Sequence, residues 1–331
     1  AGAAGETVAT ASIQEQAIYV VSLTIVCLPL PLAALLPLRN YPASVGLVFL
    51  WLFALDAAQQ MGLTIAGTAV ARPLGCSYLL FRLYDALRSA EPGWRPALLQ
   101  VTAFPTLPAG PILLSGQTRI IPEPFSFRRA FYRRGIFLLA LGIVKLYVAL
   151  PLLDIYLETA LILPLRPSLF ALQNATETAV YLYARLFLDF SGYTDLVVAM
   201  CALMGLRIRH NFLRPYAAVS LRDFWRRWHI TLAAFMRRHV YIPLGGRRTG
   251  SARHAVNLLA VFALLGLWHG LSLHFFLWGL LHAAYFILEI RLITPAVQAL
   301  RGGGLSGLAR FAQYAMTQSF VAFSWLIFFW K

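Results

Sequence analysis

The sequence predicts an all-α protein that crosses a membrane several times, and three observations predict it. The 331 residues are 60% hydrophobic and only 12% charged, whereas a soluble domain is about half apolar and about a quarter charged. The mean hydropathy is +0.69, which leaves too little polar surface to cover a water-soluble body of this size. Apolar runs long enough to cross a hydrocarbon core recur along the whole chain. The short alternating segments of a membrane β-barrel are absent.

The elements follow in chain order. A first span covers residues 17–38, broken by Pro29 and Pro31, and a second covers 44–66. Residues 75–87 carry Arg82 and Asp85, with Arg88 just beyond. That stretch is too polar to face lipid and too apolar for a plain loop, so it predicts a re-entrant or bundle-buried helix. Residues 96–114 hold Pro105, Pro108 and Pro111. They predict a broken helix whose freed carbonyls face protein or water.

Arg119, Arg128, Arg129, Arg133 and Arg134 come next. Spans are then expected at 135–152 and 168–190, with a shorter one at 193–206. Residues 207–253 interleave arginines with Trp225, Trp228, Phe235 and Tyr241. They are too charged to span and too aromatic for a solvated tail, which predicts an interfacial or partly buried helix on the cytoplasmic side. Spans resume at 255–268, 273–293 and 309–330, the last two separated by the Gly-rich 301–307. No soluble domain and no internal repeat interrupts this order.

The formal net charge is +15, and every cation except Lys145 and Lys331 is an arginine. Such a charge first suggests nucleic acid. The arginines stand between apolar spans instead of on a polar domain, so the chain is read as binding no nucleic acid. Cytoplasmic helix ends collect cations, and anionic headgroups attract them. Cys27, Cys76 and Cys201 each sit in an apolar run and match no zinc or redox spacing. The histidines are scattered, with no His-Glu-x-x-His, and no metal is expected.

Ionisable groups inside apolar runs are the first candidates for chemistry. His269 ends such a run, within Gly266-Leu267-Trp268-His269-Gly270. Burial keeps an imidazole neutral, and a neutral imidazole takes a proton from a hydroxyl, as acyl transfer to an alcohol requires. A packed core or interfacial histidine has the same sequence pattern, and periodicity alone does not separate the two. His229 follows Asp223, Trp225, Arg226 and Arg227. In one continuous helix Asp223 would face both arginines and Trp225 would stack under His229. Anchoring at the interface and function are equally open there.

His282 lies four residues after Trp278, a spacing that also suits simple helix packing. His274 sits at a helix start and is set aside. His210, His239 and His254 fall among arginines and are read as solvated or headgroup-facing. Asp189, Ser191 and Asp195 form a polar knot in residues 189–195 (DFSGYTD). No strand flanks Ser191, which excludes a hydrolase nucleophile elbow, and helix capping is the favoured reading. Residues 241–246 (YIPLGG), followed by Arg247 and Arg248, suit either the phosphates of a nucleotide thioester or a lipid headgroup.

Taken in order, residues 223–232 (DFWRRWHITL), 241–246 (YIPLGG), 266–270 (GLWHG) and 278–282 (WGLLH) resemble the membrane-bound O-acyltransferases. The closest look is to the bacterial branch that acetylates exported polysaccharides such as alginate. Residues 189–195 and 109–112 (AGPI) look like further pieces of that pattern, so the resemblance runs from about residue 75 to residue 330.

It implies a ring of tilted and broken helices around a central tunnel. It makes His269 the catalytic histidine and His229 the second histidine of the signature. Asp223, Trp225, Arg226, Arg227, Trp268, His282, Asp189, Ser191 and Asp195 become candidates for the substrate path. A cytoplasmic acyl thioester, acetyl-CoA in the first instance, is the expected co-substrate, and no cofactor is bound. The implied acceptor is an exported polysaccharide, or a periplasmic or extracellular protein that passes the acyl group on. The implied setting is the lipid of the bacterial inner membrane.

The segment before residue 75 is shorter than in that branch, and relatives usually continue beyond Lys331. Residues 1–331 are therefore read as a single membrane-embedded acyltransferase domain, either compact or part of a longer chain. The rival reading is a non-catalytic channel or transporter, or a scaffold subunit of a polysaccharide export complex, since broken helices with buried polar groups also mark transport sites.

Overall fold

The structure is a computed structural model that describes residues 41–61, 64–65, 68–69, 76–88, 100–101, 103–106, 109–116, 119–120, 129–162, 167–302 and 306–330. The span expected at 17–38 lies outside these residues. Helix α1 (Tyr41–Gln60) occupies the second expected span. Pro42 sits in its first turn, where a missing N–H is harmless. A two-residue hairpin ladder follows, β1 (Thr64–Ile65) against β2 (Thr68–Ala69).

Helix α2 (Cys76–Leu87) is the segment too polar for lipid, and it is buried in the bundle. Arg82 and Asp85 are 0% and 1% exposed. The proline-rich stretch beyond it is broken as expected, with a 3-10 turn at Phe104–Thr106 and non-helical chain from Gly110 to Leu114. Its carbonyls meet protein donors. Arg82 donates to the Thr106 carbonyl and Gln100 Nε2 to that of Leu113, the latter at 2.9 Å.

Helix α3 (Arg129–Val144) passes through a π turn (Lys145–Ala149) into α4 (Leu150–Ile162). Helix α5 (Pro167–Leu203) is a single helix of 37 residues. It replaces the two spans expected at 168–190 and 193–206, and Asp189, Ser191 and Asp195 cap nothing. The polar knot finds its partners sideways: Lys145 Nζ lies 2.6 Å from Asp195 Oδ2 and 3.0 Å from Ser191 Oγ. Gly192 makes room for this, because a Cβ there would crowd Leu146 and Lys145.

Residues 207–253 are not one interfacial helix. Strand β4 (Leu206–Arg207) pairs with β3 (Arg119–Ile120). Two short helices follow, α6 (Leu221–Arg227) and α7 (Ile230–Met236), then a π turn (Arg237–Tyr241). Leu221, Phe224 and Phe235 are 0% exposed. The aromatics of this stretch therefore form the middle of the core, and Arg222, Arg226, Arg237 and Arg247 keep its exposed edge.

Helices α8 (Ser251–His269) and α9 (Leu273–Leu288) form a hairpin. A third π turn (Glu289–Ile293), α10 (Thr294–Gly302) and α11 (Ser306–Phe328) complete the chain order. Two glycines set the hairpin. A Cβ on Gly266 would overlap the Phe275 carbonyl, and one on Gly279 would overlap the Phe262 carbonyl. Small residues let helix backbones approach closely where lipid gives no hydrophobic drive to pack.

The main core joins α1, α2, α6 to α9 and α11 through Phe49, Phe81, Phe224, Phe235, Trp278 and Trp325. A smaller one packs Leu138 of α3 against Val197 and Cys201 of α5. Four helical stretches among the described residues are long and apolar enough to cross a membrane: Tyr132–Tyr156, Asn174–Leu203, Ser251–His269 and Leu273–Leu300. On the first, Phe137 and Tyr147 are 64% and 72% exposed, which suits contact with lipid tails. The chain is an all-α membrane protein.

Candidate active site

Two histidines from different parts of the sequence meet at one tryptophan. His229 sits in the corner between α6 and α7. Its backbone is left-handed, with φ 42° and ψ 53°, a conformation uncommon outside glycine but several-fold enriched for histidine. The 223–232 motif is therefore two helices and a corner. Asp223 pairs with Arg227 at 2.9 Å, Arg226 is exposed, and Trp225 lies away from the place expected under His229. Trp225 instead packs edge-on against Phe262, Trp278 and His282.

His229 is 4% exposed. Tyr78 of α2 stacks on its ring with the hydroxyl 3.4 Å from Nε2, and Phe190 of α5 meets it edge-on at 4.8 Å. Burial, followed by the nearby charge of His269, lowers the His229 pKa to about 3. The imidazole is thus neutral over the whole physiological range.

His269 is the last residue of α8 and is half-buried. Its ring touches Trp268 at 4.6 Å, Phe275 at 5.8 Å, Trp278 at 5.7 Å and Phe328 of α11 at 4.8 Å. Trp268 also lies edge-on to His229 at 6.0 Å and to Tyr78 at 5.8 Å, so one indole spans both imidazoles. Asp56 of α1 holds the turn after His269, accepting from the Leu271 N–H at 2.6 Å.

His282 is fully buried one layer further along. Its Nε2 lies 3.1 Å from Ser324 Oγ, and its ring packs on Trp278 at 4.6 Å. Among the described residues, Trp225, Trp268, Trp278 and Trp325 each keep an indole N–H without a hydrogen-bond partner. Unpaired buried donors are rare in folded proteins, and here they line one continuous aromatic layer. No three His, Cys, Asp or Glu side chains converge as a metal site among the described residues.

Other expected site residues lie elsewhere. Asp189 is exposed. Ser191 and Asp195 belong to the cluster with Lys145 and His210, where His210 Nε2 is 2.7 Å from Asp195 Oδ1. His210 is thus paired, not solvated. His239 is also no headgroup ligand: it is 2% exposed and lies 2.7 Å from Asp85 Oδ1. His254 meets the Tyr241 hydroxyl at 3.0 Å, and Asn257 holds the adjoining turn through the Leu244 and Gly246 carbonyls at 3.1 Å each.

Sequence reasoning missed Asp56, Tyr78 and Asn211. Asp56 and Tyr78 carried a faint signal, a polar side chain within an otherwise apolar stretch. Asn211, in a polar loop, carried none.

The histidine pair falls inside a recognisable family pattern. Residues 97–301 match the family model of the membrane-bound O-acyltransferases. The chain is 32% identical over 237 residues to the probable alginate O-acetylase AlgI of Pseudomonas fluorescens, covering 67% of this chain and 46% of that protein. It is 35% identical over 193 residues to the peptidoglycan O-acetyltransferase of Helicobacter pylori, covering 56% and 35%. To the teichoic acid D-alanyltransferase of Bacillus subtilis it is 28% identical over 231 residues, covering 63% and 57%. The matched stretch is thus about half the length of the alginate O-acetylases. With both histidines, their bridging indole and the turns that hold them inside the matched stretch, the chain belongs to the membrane-bound O-acyltransferase family.

Proposed function

We propose that this chain moves an acyl group, acetyl in the first instance, from a cytoplasmic thioester such as acetyl-CoA to a hydroxyl. The acceptor is an exported polysaccharide, or a periplasmic or extracellular protein that hands the group on. The relatives named above act on alginate, peptidoglycan and teichoic acid, which supports an exported polymer as the final acceptor. The observation that carries the reading is the meeting of His269 and His229 across Trp268 within an apolar bundle.

In this reading His269 takes the proton of the acceptor hydroxyl as its oxygen attacks the thioester carbonyl. The new C–O bond forms, the C–S bond breaks, and the departing thiolate takes the proton back from His269. His229, neutral and fixed, stands on the other side of Trp268 as the second polar group at the reacting carbonyl. Trp225, Trp268 and His282 line the path. Base assistance of this kind is worth roughly 100- to 10,000-fold in rate, and a dry site limits hydrolysis of the thioester.

Burial raises the pKa of the Tyr241 hydroxyl, and the nearby charges of Arg222, Arg247 and Arg237 pull it back down. They form a basic rim suited to the phosphates of the donor, with Arg226 and the Asp223–Arg227 pair on the neighbouring helix. Residues 1–331 act within one membrane-embedded domain whose helices cross the bacterial inner membrane several times around a central tunnel that carries the acyl group.

The test uses native membranes, labelled acetyl-CoA and the polysaccharide fraction. His269→Ala is expected to abolish label transfer while the protein stays in the membrane at wild-type amount. Full transfer by that variant would remove His269 from the mechanism.

A further inference from the structure

The left-handed corner at His229 does not hold itself. Residues 211–213 run alongside it and clamp it from both sides. The Leu213 N–H donates to the Arg227 carbonyl at 2.9 Å, and the Ile230 N–H donates to the Asn211 carbonyl at 3.0 Å. The Asn211 side chain closes the clamp: Oδ1 accepts from the Thr231 N–H at 3.2 Å and from the Thr231 hydroxyl at 2.6 Å. The Thr231 hydroxyl in turn accepts from the Ile112 N–H at 2.9 Å. Asn211 is 0% exposed and Thr231 1%.

A second chain of contacts fixes the clamp to the membrane-spanning helices. The Phe212 N–H donates to His210 Nδ1 at 2.9 Å. Nδ1 is therefore the acceptor nitrogen of a neutral imidazole, and the proton sits on Nε2. Nε2 donates to Asp195 Oδ1 at 2.7 Å, and Asp195 Oδ2 receives Lys145 Nζ at 2.6 Å. The carboxylate is thus balanced by one cation and one oriented N–H. Left-handed backbone at a non-glycine residue costs of order 1–3 kcal/mol and persists only where the surroundings over-determine it. Here they do, through bonds on both flanks of His229.

We infer that Asn211 is a positioning residue that holds His229 at the active site, and that Lys145, Asp195 and His210 keep Asn211 in register. The inference rests on the reading of His229 as part of the catalytic centre. It also gives Asp195 and Ser191 a different place from the substrate path expected from sequence.

Two readouts test it, one of them independent of activity. Asn211→Ala removes the acceptor. Asn211→Asp keeps it and exchanges Nδ2, which has no partner among the described residues, for a carboxyl oxygen that burial favours in its protonated, neutral form. In the detergent-purified full chain, Asn211→Ala should raise the rate at which diethyl pyrocarbonate labels His229, read by mass spectrometry, and Asn211→Asp should restore the slow rate. In the acyl-transfer assay, Asn211→Ala should lower kcat by about 10- to 100-fold, in line with the penalty for a small misplacement of a reacting group. The donor KM should stay within about twofold, and Asn211→Asp should recover most of kcat.

If Asn211→Ala does not accumulate, Thr231→Val removes the partner hydroxyl and is expected to raise His229 labelling in the same way. Wild-type labelling of His229 in both variants overturns the inference, as does an equal effect of Ala and Asp at position 211. Expected labelling in a chain that transfers no acyl group leaves the clamp standing and sinks the catalytic reading instead.

Discussion

The buried carboxylate of Asp85 accepts four hydrogen bonds. It accepts from Gln100 Nε2 at 3.0 Å, the Ser115 N–H at 2.6 Å, Arg238 Nη1 at 2.8 Å and His239 Nε2 at 2.7 Å. Burial pushes its pKa up, and the bonds from His239, Ser115 and Arg238 outweigh burial and hold it well below the usual carboxylate range. The stability it contributes is therefore present above the unfolded value of about 3.9 and lost as pH falls through the lower folded value. Asp85→Ala should destabilise the protein by about 3–5 kcal/mol at pH 7, the usual penalty for breaking a buried charge network. Melting curves of wild type and variant, taken at pH 7, 5 and 3, should show a constant gap from pH 7 to 5 that narrows at pH 3. At His229 the shift has the opposite consequence for activity. Its pKa of about 3 keeps it neutral, so any acid limb above pH 5 in kcat/KM belongs to another group. Conservative replacement His229→Gln should leave the position of that limb unmoved in a pH–rate profile.

At the scale of elements, proline explains the three π turns. Leu150, Ile242 and Thr294 each donate to the carbonyl five residues back, of Lys145, Arg237 and Glu289. Each of the three immediately precedes a proline: Pro151, Pro243 and Pro295. A proline lacks the N–H of a regular turn, and its ring clashes with the carbonyl four residues back. Widening the turn by one residue relieves that clash without ending the helix, and π bulges of this kind gather at functional sites. One of the three carries Lys145, which reaches the His229 clamp through Asp195, and another brings Arg238 and His239 to Asp85. The α8–α9 hairpin gives the sharpest prediction at this scale. Gly279→Val would drive side-chain atoms into the Phe262 carbonyl. Overpacking of a tight contact costs about 1–3 kcal/mol, and it would part the hairpin that presents His269. Thermal melting in detergent should fall by several degrees, and acyl transfer should fall with it. Unchanged melting would mean that the two helices do not need their close approach.

For the molecule as a whole, lipid as solvent decides which surfaces are tolerated. The outer face of α3 and α4 exposes Phe137, Tyr147, Leu152 and Ile155. An arginine near the middle of such a span costs about 2.5–3.5 kcal/mol on insertion scales. Val144→Arg, midway along Tyr132–Tyr156 and half-exposed, should therefore lower the membrane-inserted fraction in a glycosylation-mapping assay. An arginine at Arg222 or Arg226, already on the exposed edge of the aromatic core, carries no such penalty. Those two arginines add to the net charge without entering a span.

Hydropathy and residue order were enough to establish a helical membrane chain, the places of several of its long apolar helices, the buried polar character of α2 and the family pattern around His229 and His269. These rest on local properties: an apolar run of sufficient length, or a motif of consecutive residues, is complete in itself. Tertiary structure alone decided that residues 167–203 are one helix, that the aromatic stretch after residue 207 lies at the core, and that His239 belongs to Asp85. It alone brought Asn211 beside His229. In each case the deciding partner is remote in sequence. A polar group in an apolar bundle is satisfied by whichever donor the packing delivers, and no local pattern records which one that will be.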